Sequence, residues 1–436
     1  MASPLKTRKE ILQKLGIEKL NAMQMEAIAT IPSHNECVLL SPTGTGKTLA
    51  FLIPIIESLD IKCAEVQVLI LVPSRELAIQ IEQVVREMGT GFKANAVYGG
   101  RPFSKDKVDI KHRPALLIGT PGRVADHVRK NTFPVNYLKT LVLDEFDKSL
   151  EVGFESDMME IVASLPKIKS KLLTSATHEV EIPAFLRLRN PTTIDYLDRE
   201  SSRLKIKSII SPTKDKLKTL GEVLHHLSDQ SGIVFCNYKT SIQRVSDYLT
   251  EQGIAHGCFY GGMEQIDRER SLIKFRNGTQ RILLTTDLAA RGIDVPEISF
   301  IIHYHLPAHE HEFTHRNGRT ARMHADGTAY VLHWEKEVLP DFIPPLTETT
   351  FSEPPPTAAP SWTTLFISGG RKDKISKTDI AGFFFKQGKL SNDQLGVIEI
   401  KQDCAFVSVA ASTVEDLIPL INNQKLKEKK VKVTVL

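Results

Sequence analysis

Short apolar runs alternate with longer amphipathic stretches along most of the chain. Val66 to Val72, Ala94 to Tyr98, Ala115 to Ile118 and Leu141 to Leu143 have the pattern of buried strands, and Arg75 to Met88 has the spacing of a helix. The second half repeats this grammar. Gly232 to Cys236, Arg281 to Thr285, Ser299 to His303 and Thr328 to His333 read as strands, with Ser241 to Gln252 and Gln265 to Asn277 as helices between them. Strands that are apolar throughout and separated by helices predict parallel sheets covered on both faces. Ahead of them, Ile11, Leu12, Leu15, Ile17, Leu20, Met23, Ala27 and Ile28 recur at helical spacing, and Gly16 breaks the run into two short helices. Residues 195–212 are polar, lie between Pro191 and Pro212, and read as a joint between two α/β units. From Thr363 the order changes to β, α, β, β, α, β: Thr363 to Ile367, Thr378 to Gln387, Val397 to Ile400, Ala405 to Val409, Val414 to Asn422 and Val431 to Leu436. Pro354, Pro355, Pro356 and Pro360 precede that unit, a stiff linker expected to hold it off the rest of the chain. The expected domains are 1–200, 201–346 and 362–436, with a linker at 347–361.

One stretch organises the first unit. Cys37 Val38 Leu39 Leu40 reads as a strand, Ser41 Pro42 Thr43 Gly44 Thr45 Gly46 Lys47 Thr48 as a tight loop, and Leu49 to Ile53 as the start of a helix. Gly44 and Gly46 permit positive φ and close backbone approach, so that N–H groups converge on a phosphate at the helix N-terminus. Lys47 would meet the β and γ phosphates and the Thr48 hydroxyl would hold Mg²⁺. Ser41 stands where the strict phosphate-loop pattern has Gly; the Gly-Lys-Thr ending carries the signal.

Composition narrows the classes. With 436 residues, 41% hydrophobic and 25% charged, the chain is long enough for two or three domains with real cores. No apolar run is long enough for a membrane span and residues 1–14 lack a signal-peptide core, so a cytoplasmic protein without a membrane partner is expected. The five cysteines are scattered at 37, 63, 236, 258 and 404, which suggests neither a disulfide framework nor a zinc site. Residues 361–436 hold 12 basic against 8 acidic residues, which accounts for the chain's whole +4 excess. A basic module with a split βαβ order is a frame used by RNA-recognition domains.

Two further stretches carry chemistry. Asp144 Glu145 Phe146 Asp147 follows the apolar strand Leu141 to Leu143, at the carboxyl end where open α/β sheets bind ligands. Asp144 there would hold Mg²⁺ while Glu145 orients and deprotonates a water. His315 Arg316 Asn317 Gly318 Arg319 Thr320 Ala321 Arg322 spaces its arginines by three, one helical face of guanidinium forks suited to phosphate oxygens. The second unit has no phosphate loop, so such arginines make sense as fingers toward ATP held by the first.

With these stretches in place, residues 10 to 335 closely resemble the DEAD-box RNA helicases. The supporting motifs stand in the family's order: Gln24; Pro73 to Ala78; Gly99 Gly100; Thr120 Pro121 Gly122 Arg123; Ser175 Ala176 Thr177; Phe235 Cys236 Asn237; Gln265 to Arg268; and Thr285 to Asp294. The resemblance implies two RecA-like parallel-sheet domains and ATP with Mg²⁺ as cofactors. It implies that Gln24 reads the adenine edge, that Asp294 meets the ribose, and that Ser41, Thr43, Gly44, Thr45, Gly46, Lys47 and Thr48 hold the phosphates. Ser175 and Thr177 would couple the phosphate site to domain closure, and Arg319 and Arg322 would be the fingers. Arg75, Gly100, Thr120, Arg123, Gln265, Arg268 and Thr286 would line the RNA backbone. The tail, with Leu365 to Lys374, Asp379, Ile380 and Gly382, resembles the C-terminal RRM-like RNA-binding domain of DbpA-type helicases. That implies an α+β third domain, large-subunit ribosomal RNA as partner, a role in ribosome assembly and a monomeric protein. Arg371, Lys372 and Lys374 are expected to make more of the contact than Phe366 and Phe406, since Cys404 replaces the ring usual in a stacking sheet.

Three departures from the family stand out. Phe146 replaces an Ala beneath the metal carboxylates, and a ring there bears on rate rather than reaction type. Asn317 and Ala321 replace residues more usual in the arginine motif. No Phe, Tyr or Trp precedes Phe51, so the ring that commonly stacks on adenine upstream of Gln24 is missing and looser nucleotide selectivity is expected. The reading from a different class is an ATP-gated RNA clamp or scaffold with weak turnover.

Overall fold

The computed structural model describes residues 6–151, 153–178, 181–197, 204–290, 298–320, 326–351 and 361–436. Two compact units divide the chain, one spanning 1–202 and the other beginning at 203.

In the first unit the strands are β1 (Glu36–Leu40), β2 (Val68–Leu71), β3 (Ala94–Val97), β4 (Leu116–Gly119), β5 (Thr140–Leu143), β6 (Ser170–Ser175) and β7 (Thr192–Asp195). They form one sheet in the order β3-β4-β2-β5-β6-β1-β7, parallel at every pairing. The helices are α1 (Arg8–Leu15), α2 (Ala22–Thr30), α3 (Lys47–Glu57), α4 (Arg75–Met88), α5 (Phe103–Asp109), α6 (Pro121–Arg129), α7 (Phe146–Glu151) and α8 (Glu155–Ala163). Alternate side chains of a strand point to opposite faces, and here both faces are dry. Val68, Ile70, Leu116, Ile118, Val142 and Leu172 belong to a core shared with α3 and α4. Leu69, Leu71, Leu117, Leu141, Leu143 and Leu173 belong to a second core shared with α6 and α8. That double burial is why these strands read as continuous apolar runs.

The second unit holds β8 (Leu204–Ser211), β9 (Gly232–Phe235), β10 (His256–Phe259), β11 (Ile282–Thr285), β12 (Phe300–His303), β13 (Gly327–Trp334) and β14 (Thr347–Glu348). Its sheet runs β10-β11-β9-β12-β13-β8-β14, again all parallel. The helices are α9 (Leu217–His226), α10 (Lys239–Glu251), α11 (Gln265–Arg276), α12 (Asp287–Ala290) and α13 (Glu310–Asn317).

The tail builds β15 (Trp362–Ile367), β16 (Leu395–Ile400), β17 (Ala405–Ala410), the short β18 (Lys425–Leu426) and β19 (Lys429–Lys430), and β20 (Val433–Val435). β16-β17-β15-β20 is an antiparallel sheet, and α14 (Lys377–Lys386) and α15 (Val414–Ile421) cover one face of it through Ile380, Phe383, Phe384, Leu417 and Ile421. The RecA-like pair of parallel sheets and the RRM-like tail are therefore present as expected.

Three expectations are corrected. The stretch taken as a joint contains β8, which pairs residue by residue with β13 from Leu204↔Gly327 to Ser211↔Trp334. Its lysines at 205 and 207 disguised it, because a strand near a sheet edge buries only part of its length. The start of the expected linker is also in the sheet, where Thr347 pairs with Lys207; residues 352–360 lie outside the described residues.

The tail, thirdly, is not held off: its sheet packs on the end of α11 and the turn after it. Arg276 Nε and Nη2 donate to Glu399 Oε1 and Oε2 at 2.7 and 2.9 Å, and Lys401 Nζ reaches Glu269 at 3.2 Å. The Ser408 hydroxyl donates to the Asn277 carbonyl at 2.9 Å, and the Thr279 and Thr364 hydroxyls lie 2.7 Å apart. Trp362 covers Gly278, whose φ of +74° turns the chain there. Thr364 and Ser408 are 1% and 2% exposed, and buried hydroxyls need partners, which the second α/β domain supplies.

A double-mutant cycle on Arg276 and Glu399 tests this docking. The bidentate pair is about three-quarters buried, so the two substitutions to Ala are expected to couple by about 1–2 kcal/mol in thermal unfolding. Strict additivity would mean that this pair does not hold the tail domain to the second α/β domain.

Candidate active site

Parallel pairing brings every carboxyl end of the first sheet to one edge, and the residues singled out from sequence divide that edge in two. β1, β6 and β5 are neighbours, and the loops that leave them carry Ser41 to Thr48, Ser175 to Thr177, and Asp144 with Glu145. β2, β4 and β3 are the neighbours on the other side, and they lead to Arg75, Thr120 with Arg123, and Gly99 with Gly100.

The loop after β1 is closed by its own side chains. Gly44 and Gly46 both have φ of +85°, and Gly46 caps α3. The Ser41 and Thr45 hydroxyls lie 2.7 Å apart, and Thr45 donates to the Pro42 carbonyl at 2.9 Å. The serine that departs from the strict pattern is thus a tie across the loop. Lys47 Nζ donates to the carbonyls of Ser41 and Pro42 at 2.5 and 2.8 Å, so its ammonium sits over the cradle in which phosphate would lie. Gln24 is joined to this loop: its Nε2 donates to the Gly46 carbonyl at 3.3 Å, while Asn21 Nδ2 donates to the Thr45 carbonyl at 2.9 Å. The φ of +85° at Gly46 favours glycine there, and a Cβ would in addition lie 2.4 Å from Gln24 Nε2 and displace that side chain.

Asp144 is 3% exposed. Burial, then the adjacent Glu145 carboxylate, push its carboxyl up to about 6, against the Thr174 hydroxyl and Lys47, which pull it down. Thr174 Oγ1 donates to Asp144 Oδ1 and itself accepts from the Glu145 amide at 3.1 Å. Thr174, which sequence reasoning passed over, therefore fixes the Asp144 carboxylate and the Glu145 backbone; its place directly before Ser175 was the only signal. Glu145 has φ of +51° and a buried Oε2 without a hydrogen-bond partner. Two crowded carboxylates beside one lysine suit a divalent cation. Magnesium takes one or two carboxylates and the phosphates of a nucleotide, and among the described residues no cage of three or more metal-binding side chains exists. Asp144 and Thr48 would hold the ion, which would neutralise phosphate charge. Phe146 is 2% exposed and packs in the core with Leu71, Leu143 and Leu173, so the ring is absorbed below the carboxylates. Ser175 and Thr177 bond to each other: the Ser175 hydroxyl donates to the Thr177 carbonyl and accepts from its amide, both at 3.0 Å.

On the other half of the edge, Arg75 lies against Gly100, where a Cβ would fall 2.3 Å from Arg75 Nη1. Arg123 is committed within the protein. Its Nη1 donates to Asp106 Oδ2 at 3.0 Å and its Nη2 to the Arg101 carbonyl at 2.7 Å. Asp106, wholly buried, also takes Arg101, and His127 Nε2 lies 3.4 Å from it. Nothing in the charge pattern of Lys105 Asp106 Lys107 marked that aspartate as a buried anchor.

The second sheet repeats the division. β10 and β11 are neighbours and lead to Gln265 with Arg268 and to Thr286; the Arg268 guanidinium lies 4.6 Å over the Phe259 ring. β12 leads to α13, which ends just before Arg319. The arginine missed as an anchor is Arg316, 1% exposed, whose Nε and Nη2 both meet Asp287 at 2.6 Å; Nη2 also donates to Asn237 Oδ1 at 2.8 Å and Nη1 to the His305 carbonyl at 2.7 Å. Asn317 bonds His303 Nε2 at 3.0 Å; burial, with the Arg316 charge, pushes that imidazole down to about 3, so the pair is a neutral one. Arg319 is 5% exposed. Asp294 and Arg322 lie outside the described residues. In the tail, Lys372 pairs with Asp403 at 2.5 Å, Asp373 with Lys429 at 2.7 Å, and Lys374 closes the turn with φ of +59°.

The sequence matches three protein families: DEAD/DEAH box helicase over residues 21–185, helicase conserved C-terminal domain over 215–324, and DbpA RNA binding domain over 364–435. It is 31% identical to the ATP-dependent RNA helicase DbpA of Bacillus subtilis, over 97% of this chain and 96% of that one. Identity to the protein of the same description from Escherichia coli is 30%, over 98% and 96%. Among solved structures, S. cerevisiae Dbp5 bound to RNA and ADP BeF3 superposes with a TM-score of 0.68 at 27% identity, covering 76% of this chain and 88% of that one.

A carboxyl raised in the folded state favours the protonated form, so Asp144 withdraws stability as pH rises from about 4, its unfolded value, through about 6. Asp144→Asn is therefore expected to stabilise the nucleotide-free protein at pH 7.5 by up to about 3 kcal/mol, with the gain gone below about pH 4. Thermal unfolding across that range checks it; an unchanged or lowered Tm at pH 7.5 would show that the carboxylate is not strained.

Proposed function

Because the chain belongs to the DEAD-box ATP-dependent RNA helicases of the DbpA type, we propose that it separates short duplexes in large-subunit ribosomal RNA during ribosome assembly. It does so as a cytoplasmic monomer driven by ATP and Mg²⁺. The observation that carries the enzymatic reading is the pair Asp144 and Glu145, crowded at one strand end beside Lys47 and held by Thr174.

Glu145 takes the proton of the attacking water; its unpartnered oxygen is the acceptor such a step needs. Lys47 leaves the loop carbonyls for the β and γ phosphates, and Ser41, Thr43, Gly44, Thr45 and Gly46 cradle them. Gln24, already tied to Gly46, reads the adenine edge, and Asp294 meets the ribose. Ser175 and Thr177 pass the state of the phosphates onward. Arg319 and Arg322 neutralise charge that develops on the transferred group. Arg75, Gly100, Thr120, Gln265, Arg268 and Thr286 follow the RNA backbone. Arg123 serves the same track by fixing the start of α6 through Asp106. A grip on phosphates and 2′-hydroxyls is blind to sequence, so target choice falls to Arg371, Lys372 and Lys374 in the tail.

ATP turnover of the full chain, with a ribosomal hairpin or a random RNA, tests both parts. Glu145→Gln is expected to lower turnover about 10² to 10⁴-fold on both RNAs while nucleotide stays bound. The triple change of Arg371, Lys372 and Lys374 to Ala is expected to remove the preference for the hairpin and leave saturated turnover intact. Turnover of Glu145→Gln within a few-fold of wild type would overturn the general-base assignment. An undiminished preference in the triple variant would place selection elsewhere. Nucleotide-dependent RNA binding by a wild-type protein that does not turn over would make the clamp the correct reading.

A further inference from the structure

The docked tail leaves a cleft of about 640 Å³ between α11 and its own sheet, lined by Asp267, Arg270, Lys274 and Gln280 on one side and Phe366 and Thr434 on the other. Trp362, Thr364 and Phe366 alternate along β15 and share a face. The first two are spent on docking, against Gly278 and against Asn277 and Thr279. Phe366 is left at the cleft, edge-on to Phe406 with ring centroids 5.8 Å apart.

The charged side chains of the cleft are unbalanced. Arg270 and Lys274 are one helical turn apart on α11 and face the same way. Asp267 lies 3.7 Å from Arg270, a loose and exposed pair. Glu269 and Glu399, the other acids nearby, are engaged by Lys401 and Arg276. Lys274 has no acidic partner among the described residues; burial, and then the charge of Arg270, make its ammonium harder to keep. The Ser271 hydroxyl, 8% exposed and at the cleft wall, also lacks a partner. A half-buried lysine set beside an arginine, with no acidic side chain paired to it, is a site for an anion.

We propose that this cleft binds single-stranded RNA that joins the helicase track to the tail, with a phosphate on Lys274 and Arg270 and a base against Phe366. The proposal rests on the RNA reading above and adds a site to it. α11 begins with Gln265 and Arg268, the track residues, and Lys274 follows Arg268 by six positions, about 9 Å along the axis. At about 100° per residue Lys274 and Arg270 lie on the opposite side of α11 from Gln265 and Arg268, so a strand leaving the track reaches the cleft by passing round the helix as well as along it, and Phe366 then supplies a ring of the kind on which sheet-bound bases stack.

The test compares a blunt RNA hairpin with the same hairpin carrying a single-stranded extension, bound to the full chain across a salt series. Lys274→Glu and, separately, Arg270→Glu are expected to weaken the extended RNA about tenfold or more, with a salt slope shallower by about one unit, and to leave the blunt hairpin unchanged. Extension RNA containing 4-thiouridine is expected to cross-link to the peptide of Phe366 on irradiation. Wild-type affinity of both variants for the extended RNA would overturn the site, as would equal weakening of the two RNAs, which would mark a general effect of charge or folding. A wild-type protein that binds neither RNA would overturn the RNA reading itself, and the cleft with it.

Discussion

A parallel sheet delivers all of its carboxyl strand ends to one edge, and the chemistry of the two α/β sheets follows from that constraint. The dry faces leave no room for polar groups, so the loops at the carboxyl edge must carry them. In the first unit the order β3-β4-β2-β5-β6-β1-β7 separates the loops proposed to hold nucleotide from those proposed to follow RNA, without any strand serving both. In the second unit the order β10-β11-β9-β12-β13-β8-β14 separates Gln265, Arg268 and Thr286 from α13 in the same way.

Among the residues proposed for nucleotide the decisive constraint is a carboxylate held out of water. Asp144 is buried with the partly exposed Glu145 beside it, and burial first and that carboxylate second raise its carboxyl to about 6 against the pull of Thr174 and Lys47. Binding of Mg²⁺ and phosphate would relieve that crowding, so the free protein stores there an affinity for its ligand. The arrangement tolerates Phe146 because the ring points into the core, whereas the carboxylates point out of it. Buried pairs elsewhere do the opposite work. Asp106 with Arg101 and Arg123, and Arg316 with Asp287, are satisfied on nearly every side and hold the loops that present reactive groups.

How far this was legible in the sequence depends on range. The helix Arg75–Met88 was readable to its end residues, and the strands leading to Asp144 and Ser41 were placed to within a residue or two, because continuous apolar runs leave no alternative. The phosphate loop and the acidic strand end were legible from residue type and spacing; most individual roles came from resemblance. β8 was hidden because a strand near the sheet edge keeps its lysines, and its pairing with β13 joins residues more than a hundred apart. Docking of the tail was hidden for the same reason: Arg276 with Glu399 and Ser408 with Asn277 are ordinary surface residues until the fold brings them together. Arg316 shows the limit of periodicity, which put three arginines on one face but could not say that the first is buried against Asp287.

The central claim is that one half of each carboxyl edge handles nucleotide in response to RNA held by the other half. Steady-state ATP turnover by the unmodified full chain, measured with RNA, with DNA of the same sequence and with no nucleic acid, tests it most directly. The account predicts that RNA raises turnover and that DNA does not, since contacts to 2′-hydroxyls are what separate the two polymers. Turnover that is the same in all three conditions, or that DNA raises as well as RNA, would contradict it.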